Sequence, residues 1–335
     1  MSDLVSILIP AYNAEKWIRD TVKSALGQTW SRKEIIIVND GSSDNTLNIA
    51  RGFESPSVKV LTQDNKGASS ARNKALSAAQ GKYIQWLDAD DLLAPDKISQ
   101  QLRKSEDGRD SRILISSAWG KFYYRHWRAK FVRNSLWQNL SPAEWILRKL
   151  DENAWMSIES WLVSRKLTEM AGPWDERLSM DDDGEYFRRV VTLSEQIIFV
   201  VEAKSYCRTG NINSISSDLI MSNKKLDSQF VSMCQHIESL RRLEDSERAR
   251  GACLKYLQRW LIYFYPERQD IVEKMSKLAK ELGGSLLCPA LSWKYSLASN
   301  FLGWGAARKA QFMLPKVRVQ ACKIYDGLLY RLSTR

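Results

Sequence analysis

KYIQWLDADD, residues 82 to 91, decides the reading of this chain: a short apolar run with the character of a buried strand ends in three carboxylates, Asp88, Asp90 and Asp91. Two-residue spacing lets Asp88 and Asp90 turn toward one hard cation at a strand terminus, and their oxygen ligands suit magnesium or manganese. An isolated DxD is more often a solvated acidic turn. The sequence upstream separates these readings.

Working back toward the amino terminus, short apolar runs alternate with helical stripes. Val5 to Pro10, Glu34 to Val38 and Val58 to Thr62 read as strands, and the run before Asp88 is a fourth. Between them lie a stripe from Trp17 to Leu26 opened by the capping type Asn13, a helical Leu47 to Phe53, and an alanine-rich Ala68 to Ala79 closed by Gly81. Continuous apolar strands joined by helical crossovers give a doubly wound, mostly parallel α/β sheet. Such sheets bind ligands at the carboxyl ends of their strands, where Pro10, Asp40 and Asp88 fall.

Each upstream loop has its own chemistry. IPAYNAE, from Ile9, is a strand-to-helix turn. IVNDGSSDNT, from Ile37, puts Asp40 at a strand end, where a carboxylate can accept the imide N–H of a pyrimidine or a sugar hydroxyl, or else form an Asx turn. DNKGASSARNKAL, from Asp64, combines Gly67, which permits close backbone approach, with Arg72 one turn inside a helix, an arrangement suited to phosphate.

Together, VSILIPAYNAEKWI, EIIIVNDGSSDNT, NKGASSARNKAL and YIQWLDADD closely resemble the nucleotide-sugar-binding domain of family 2 inverting glycosyltransferases, which have the GT-A (Rossmann-like) fold. The resemblance is strong over about the first 95 residues and looser to about residue 216. It implies a nucleotide-diphospho-sugar donor, a divalent metal (Mn2+ or Mg2+) and a hydroxyl-bearing acceptor: a glycan, a lipid-linked oligosaccharide or a small molecule. Pro10, Ala11, Tyr12 and Asn13 would border the base and ribose, and Asp40 would hold the base. Gly67 and Arg72 would line the nucleotide cleft. By the same resemblance Asp88, beside Ala89 in the donor site, would contact the ribose or a metal-bound water, and Asp90 would ligate the metal.

The resemblance also implies a general base. AGPWDERLSMDDDGEYFRR, from Ala171, has the form of the family's acidic pair opening a helix, with Asp182 and Asp183 on the pair and Asp183 on the base. Asp181 adds a third carboxylate, so the register among the three stays open, and an acidic helix start is also favourable to the helix dipole. CRTGNINSIS, from Cys207, resembles a segment in which Arg208 and serines face donor phosphates. A sugar nucleotidyltransferase should instead show a glycine-rich basic loop after the first strand, and a catalytically inactive relative should have lost part of the acidic set. The QxxRW motif of processive synthases is absent, KYLQRW at Lys255 to Trp260 having its glutamine misplaced, so addition of a single sugar is expected.

The 335 residues can bury one large or two ordinary domains, and the reading divides them into a catalytic region, 1–220, and a mainly α-helical appendage, 221–335, broken near Pro266, Pro289 and Pro315. The net charge of +11 lies in the second part: residues 1–220 carry 30 Lys+Arg against 29 Asp+Glu, and residues 221–335 carry 20 against 10. No nucleic-acid partner is expected. Five scattered cysteines and two histidines argue against zinc and disulfide frameworks. With neither an export signal nor an apolar run long enough to span a bilayer, a cytoplasmic protein is expected. After Pro315, Val317, Ala321, Ile324, Leu328 and Leu332 fall on one helical face among basic residues, which suits peripheral contact with the inner membrane face or self-association. The tryptophans between residues 100 and 220 should be core and lining residues, one or two of them placed to stack on sugar.

Overall fold

The computed structural model describes residues 3–106, 112–210 and 222–333. Its central sheet has the strand order β3-β2-β1-β4-β8. Strands β1 (Val5–Ala11), β2 (Lys33–Asp40), β3 (Val58–Gln63) and β4 (Tyr83–Trp86) are parallel, and β8 (Val163–Ser164) closes the edge antiparallel to β4. Side chains on a strand alternate between faces. Leu8, Ile36, Val38, Ile84 and Trp86 therefore enter one core, while Val5, Ile7, Ile9, Ile35 and Ile37 enter another on the opposite face. Helix α1 (Ile18–Leu26) covers the second core with Ile18, Val22 and Ala25. On the first core lies α3 (Ala68–Ala78), which contributes Ala71 and Ala75; α2 (Thr46–Arg51) links β2 to β3. This is the doubly wound arrangement expected from the sequence.

A second sheet, unforeseen in the sequence, has the order β5-β9-β6-β7. It is built from β5 (Leu92–Leu93), β6 (Ile113–Phe122), β7 (Lys130–Phe131) and β9 (Gln196–Arg208), with β6 and β9 parallel and their register shifted between Ser117 and Ala118. Helix α4 (Lys97–Glu106) packs on it. α5 (Pro142–Glu152) starts at Ser141, whose hydroxyl accepts from the Glu144 amide, with proline at the first helical position. α6 (Arg165–Ala171) and α7 (Asp182–Leu193) complete this part.

Beyond residue 221 the chain is helical: α8 (Asn223–Leu243), α9 (Glu247–Phe264), α10 (Gln269–Glu281), α11 (Trp293–Leu302) and α12 (Trp304–Ser333). Leu226, Met233, Ile237, Leu257, Phe264 and Met275 belong to the same buried cluster as Trp86 and Trp161. The division expected at residue 220 lies outside the described residues, as do the serines of CRTGNINSIS.

Three local expectations are corrected. Asn13 caps no helix: its backbone is left-handed (φ 46°), and α1 begins later, at Ile18. Gly81 does not terminate α3, which ends at Ala78; a Cβ at Gly81 would collide with the backbone and hydroxyl of Ser6, so the glycine permits close strand approach. Pro315 does not break α12. Its missing N–H costs a helical bond, but the helix is anchored on both sides of it. Before it, Arg308 bonds the Ile262 carbonyl and Glu267; after it, Asp326 holds Arg125.

Candidate active site

The carboxyl ends of β1, β2 and β4 open into a cavity of about 750 Å³. Pro10, Ala11, Tyr12, Asn13, Asp40, Gly67, Arg72, Asp88, Ala89, Asp90, Asp182 and Asp183 all line it, so five stretches far apart in sequence converge. The first loop is tied to the second by Asn13, whose Oδ1 accepts from the Ser43 amide at 2.9 Å while its own amide donates to Ser42 Oγ at 3.0 Å.

Asp40 ties the second loop to the third. Its Oδ1 accepts from Gln63 Nε2 (2.8 Å) and the Lys66 amide (2.9 Å), and its Oδ2 accepts from the Gly67 amide (2.8 Å). The residue is only 2 % exposed. Its carboxylate thus organises the loop that starts α3, where Gly67 adopts φ +92°, a conformation that favours glycine.

Arg72 joins the acidic groups. Nη2 donates to Asp88 Oδ1 at 2.9 Å and Nη1 to Asp182 Oδ2 at 2.7 Å, while the guanidinium lies 4.4 Å from the ring centroid of Trp174. Burial disfavours its charge, but Asp88 and Asp182 outweigh that, and the guanidinium stays protonated.

The three aspartates opening α7 have different environments. Asp181 is left-handed (φ 56°), and its Oδ2 accepts from Ser232 Oγ (2.5 Å) and His236 Nε2 (3.2 Å) on α8. Burial pushes its carboxyl up, but the His236 and Ser232 hydrogen bonds and the Lys149 charge hold it at about 2. His236, wholly buried and held down to about 4 by that burial, is a neutral donor. Asp182 is engaged by Arg72 and by Ser69 Oγ at 3.2 Å. Asp183 has no cationic partner among the described residues. Burial, and then the charges of Asp182 and Asp181, push its carboxyl up to about 7, against the opposing pull of Arg72 and the Gly184 amide.

Asp88 and Asp90 fit a hard cation. They are cavity-lining oxygen donors, and Asp88 keeps 35 % side-chain exposure beside its Arg72 contact. Asp91 turns away: its Oδ1 accepts from the Arg208 amide, and it lies buried with Glu159 and Cys207, ligating atoms all within 4.8 Å of one another. Burial raises both carboxyls of that group, Glu159 to about 7. Arg208 does not face the cavity. Its Nε donates to the Asp90 carbonyl and its Nη1 to the Tyr123 carbonyl, and its guanidinium is sandwiched 4.1 and 4.4 Å from the rings of Trp17 and Phe122. It braces the turn of Asp88 to Asp91 from behind.

Sequence reading missed most of the far wall of the cavity: Lys149 near the end of α5 and Met156 beyond it, with Gln229 from α8 and Tyr256 and Trp260 from α9. Trp155, 41 % exposed, is the one tryptophan between residues 100 and 220 that both lines the cavity and is broadly open. In the KYLQRW segment, Gln258 pairs with the Leu287 backbone and Arg259 with the Leu150 carbonyl, leaving Tyr256 and Trp260 at the cavity.

The sequence model described as Glycosyl transferase family 2 matches residues 6–161. Residues 6–161 are therefore similar to the family 2 glycosyltransferases. The uncharacterized glycosyltransferase RT0329 of Rickettsia typhi is 43% identical over 200 residues, 58% of this chain and 60% of that protein. The chondroitin synthase of Pasteurella multocida is 46% identical over 103 residues, 30% of this chain and 11% of the synthase. Matches to the first curated relatives span 27% to 40% of their lengths. Among solved structures, S. aureus TarS 1–349 in complex with UDP-GlcNAc superposes with a TM-score of 0.64 at 16% identity, covering 91% of this chain and 90% of that one. That likeness establishes a shared GT-A fold with C-terminal helices. The matched family segment stops before α7, so the three aspartates rest on geometry and on the sequence resemblance.

Proposed function

We propose that the protein transfers one sugar from a nucleotide-diphospho-sugar to an acceptor hydroxyl with inversion, in the assembly of a glycan or polysaccharide. The observation that carries this reading is the convergence of Asp88, Asp90, Arg72 and Asp183 on one cavity at the carboxyl edge of a parallel sheet. Asp183 takes the proton from the acceptor hydroxyl as its oxygen bonds to the anomeric carbon, and the sugar–phosphate bond breaks on the opposite face, releasing the nucleoside diphosphate. A carboxyl near 7 is matched to that proton transfer at neutral pH. Asp182 and Asp181 are less suited to it, one neutralised by Arg72 and the other held by α8.

Asp90 and Asp88 would hold the divalent cation, whose charge offsets that developing on the departing diphosphate. Asp40 sets the loop against which the base lies, with Pro10, Ala11, Tyr12 and Asn13 as its border. The UDP-GlcNAc complex of the similarly folded TarS supports a nucleotide-sugar donor. A thermal-shift panel of nucleotide sugars with manganese selects the donor, and NMR of the product then reads the anomeric configuration. Inverted product with a stabilising donor supports the proposal; retained configuration, or no stabilisation by any nucleotide sugar, overturns it.

A further inference from the structure

We infer that α11 and α12 form a docking surface for an anionic lipid bilayer. Along α12, Met313, Leu314, Val317, Ile324, Tyr325, Leu328 and Leu332 recur at intervals of one, three, four and seven residues, which on an α-helix places them on one face. All are exposed, Leu332 by 73 %. α11 adds Trp293, Leu297 and Phe301 at four-residue spacing, with Phe301 91 % exposed. A monomer rarely leaves so long an apolar strip in water.

The stripe is not the face by which α12 joins the protein. Asp326 accepts from the Tyr124 and Arg125 amides and from Arg125 Nε, Lys323 Nζ donates to the Gly210 carbonyl, and Tyr330 stacks on Tyr124. These contacts hold the opposite side of the helix, which fixes the apolar stripe outward.

Charge selects the occupant. On the helical projection Arg318 borders one edge of the stripe, and Lys309 and Arg331 border the other. Asp326, the only acidic residue from 301 to 335, is already engaged by Arg125. A second copy would set these cationic borders against identical ones. An anionic bilayer offers hydrocarbon to the stripe and negative headgroups to its borders. No described helix is long and apolar enough to cross a membrane, which agrees with a helix lying in the interface. α12 also reaches the cavity rim, where Lys323 Nζ sits 5.9 Å from the ring centroid of Trp17, a lining residue. This inference is independent of the chemistry proposed for the cavity.

The test is co-sedimentation of the full chain with phosphatidylglycerol-containing and pure phosphatidylcholine vesicles, alongside light scattering without lipid. Binding to the anionic vesicles should exceed binding to the neutral ones at least tenfold and weaken with salt. Ile324→Glu with Leu328→Glu, and separately Arg318→Glu with Arg331→Glu, should each reduce it at least tenfold without changing helicity by circular dichroism or donor-induced thermal shift. Equal partition into both vesicle types, or none, would overturn the inference. So would a lipid-independent dimer dissolved by the Ile324 and Leu328 substitutions, which would identify a second copy as the occupant.

Discussion

Arg72 lies 2.7 Å from Asp182, a residue 110 positions away, and so joins the helix that follows the nucleotide loop to the helix that carries the proposed base. Through its other nitrogen it also holds Asp88. Removing it leaves Asp182, with 15 % of its side chain exposed, without its cation. Arg72→Ala should therefore cost about 3 kcal/mol in urea unfolding, the scale of a broken buried pair. Arg72→Lys should recover only part of that, because an ammonium lacks the planar fork that reaches two carboxylates. An unchanged urea midpoint in the alanine variant would contradict the bridging role.

Asp40→Asn should be more damaging than its near-identical shape suggests. Both oxygens face N–H donors, so an amide must point its NH2 at one of them. A loss of about 1–3 kcal/mol is expected from the unsatisfied contact. Weaker binding of the nucleotide chosen by the thermal-shift panel should accompany it. Calorimetry showing full nucleotide affinity would separate Asp40 from the donor site.

Asp90→Ala should abolish the manganese dependence of donor binding, whereas Asp91→Asn should preserve it, since Asp91 is turned into the buried group with Glu159 and Cys207. Titration of the selected donor with and without EDTA reads both variants. Loss of metal dependence in the Asp91 variant alone would reverse the assignment.

The raised carboxyl of Asp183 has consequences for rate and for stability. Transfer should increase with pH through about 7, as the base loses its proton, and level off above it. Because the folded value exceeds the unfolded one, the native state binds the extra proton. The stabilisation is complete below about 4, declines as pH rises to about 7, and is absent above. Asp183→Asn should remove that decline, so the variant gains stability relative to the parent between pH 4 and pH 8. Parallel pH profiles of unfolding for the two proteins would count against a raised Asp183.

The central sheet was legible because Val5 to Pro10 and Glu34 to Val38 are buried on both faces, and such strands announce themselves as unbroken apolar runs. The loops after them were legible through Asp40, Gly67 and Asp88, whose residue types suit strand ends and ligand contact. The far wall was not. Tyr256 and Trp260 sit on an ordinary amphipathic helix, and periodicity tells which face is buried but not against what. Arg208 misled for a related reason: a guanidinium suits a phosphate or a pair of aromatic faces, and only the fold puts Trp17 and Phe122 around it. The second sheet stayed hidden because β5 and β7 are two residues each and carry no period.

The account rests on Asp183 acting as the base in a cavity that binds donor without it. The direct measurement is donor affinity and single-turnover transfer for Asp183→Asn, with the donor and acceptor of the parent protein. Donor affinity within twofold of the parent, together with transfer reduced by roughly 100-fold or more, is the expected result. Transfer at the parental rate would contradict it and move the base to another residue.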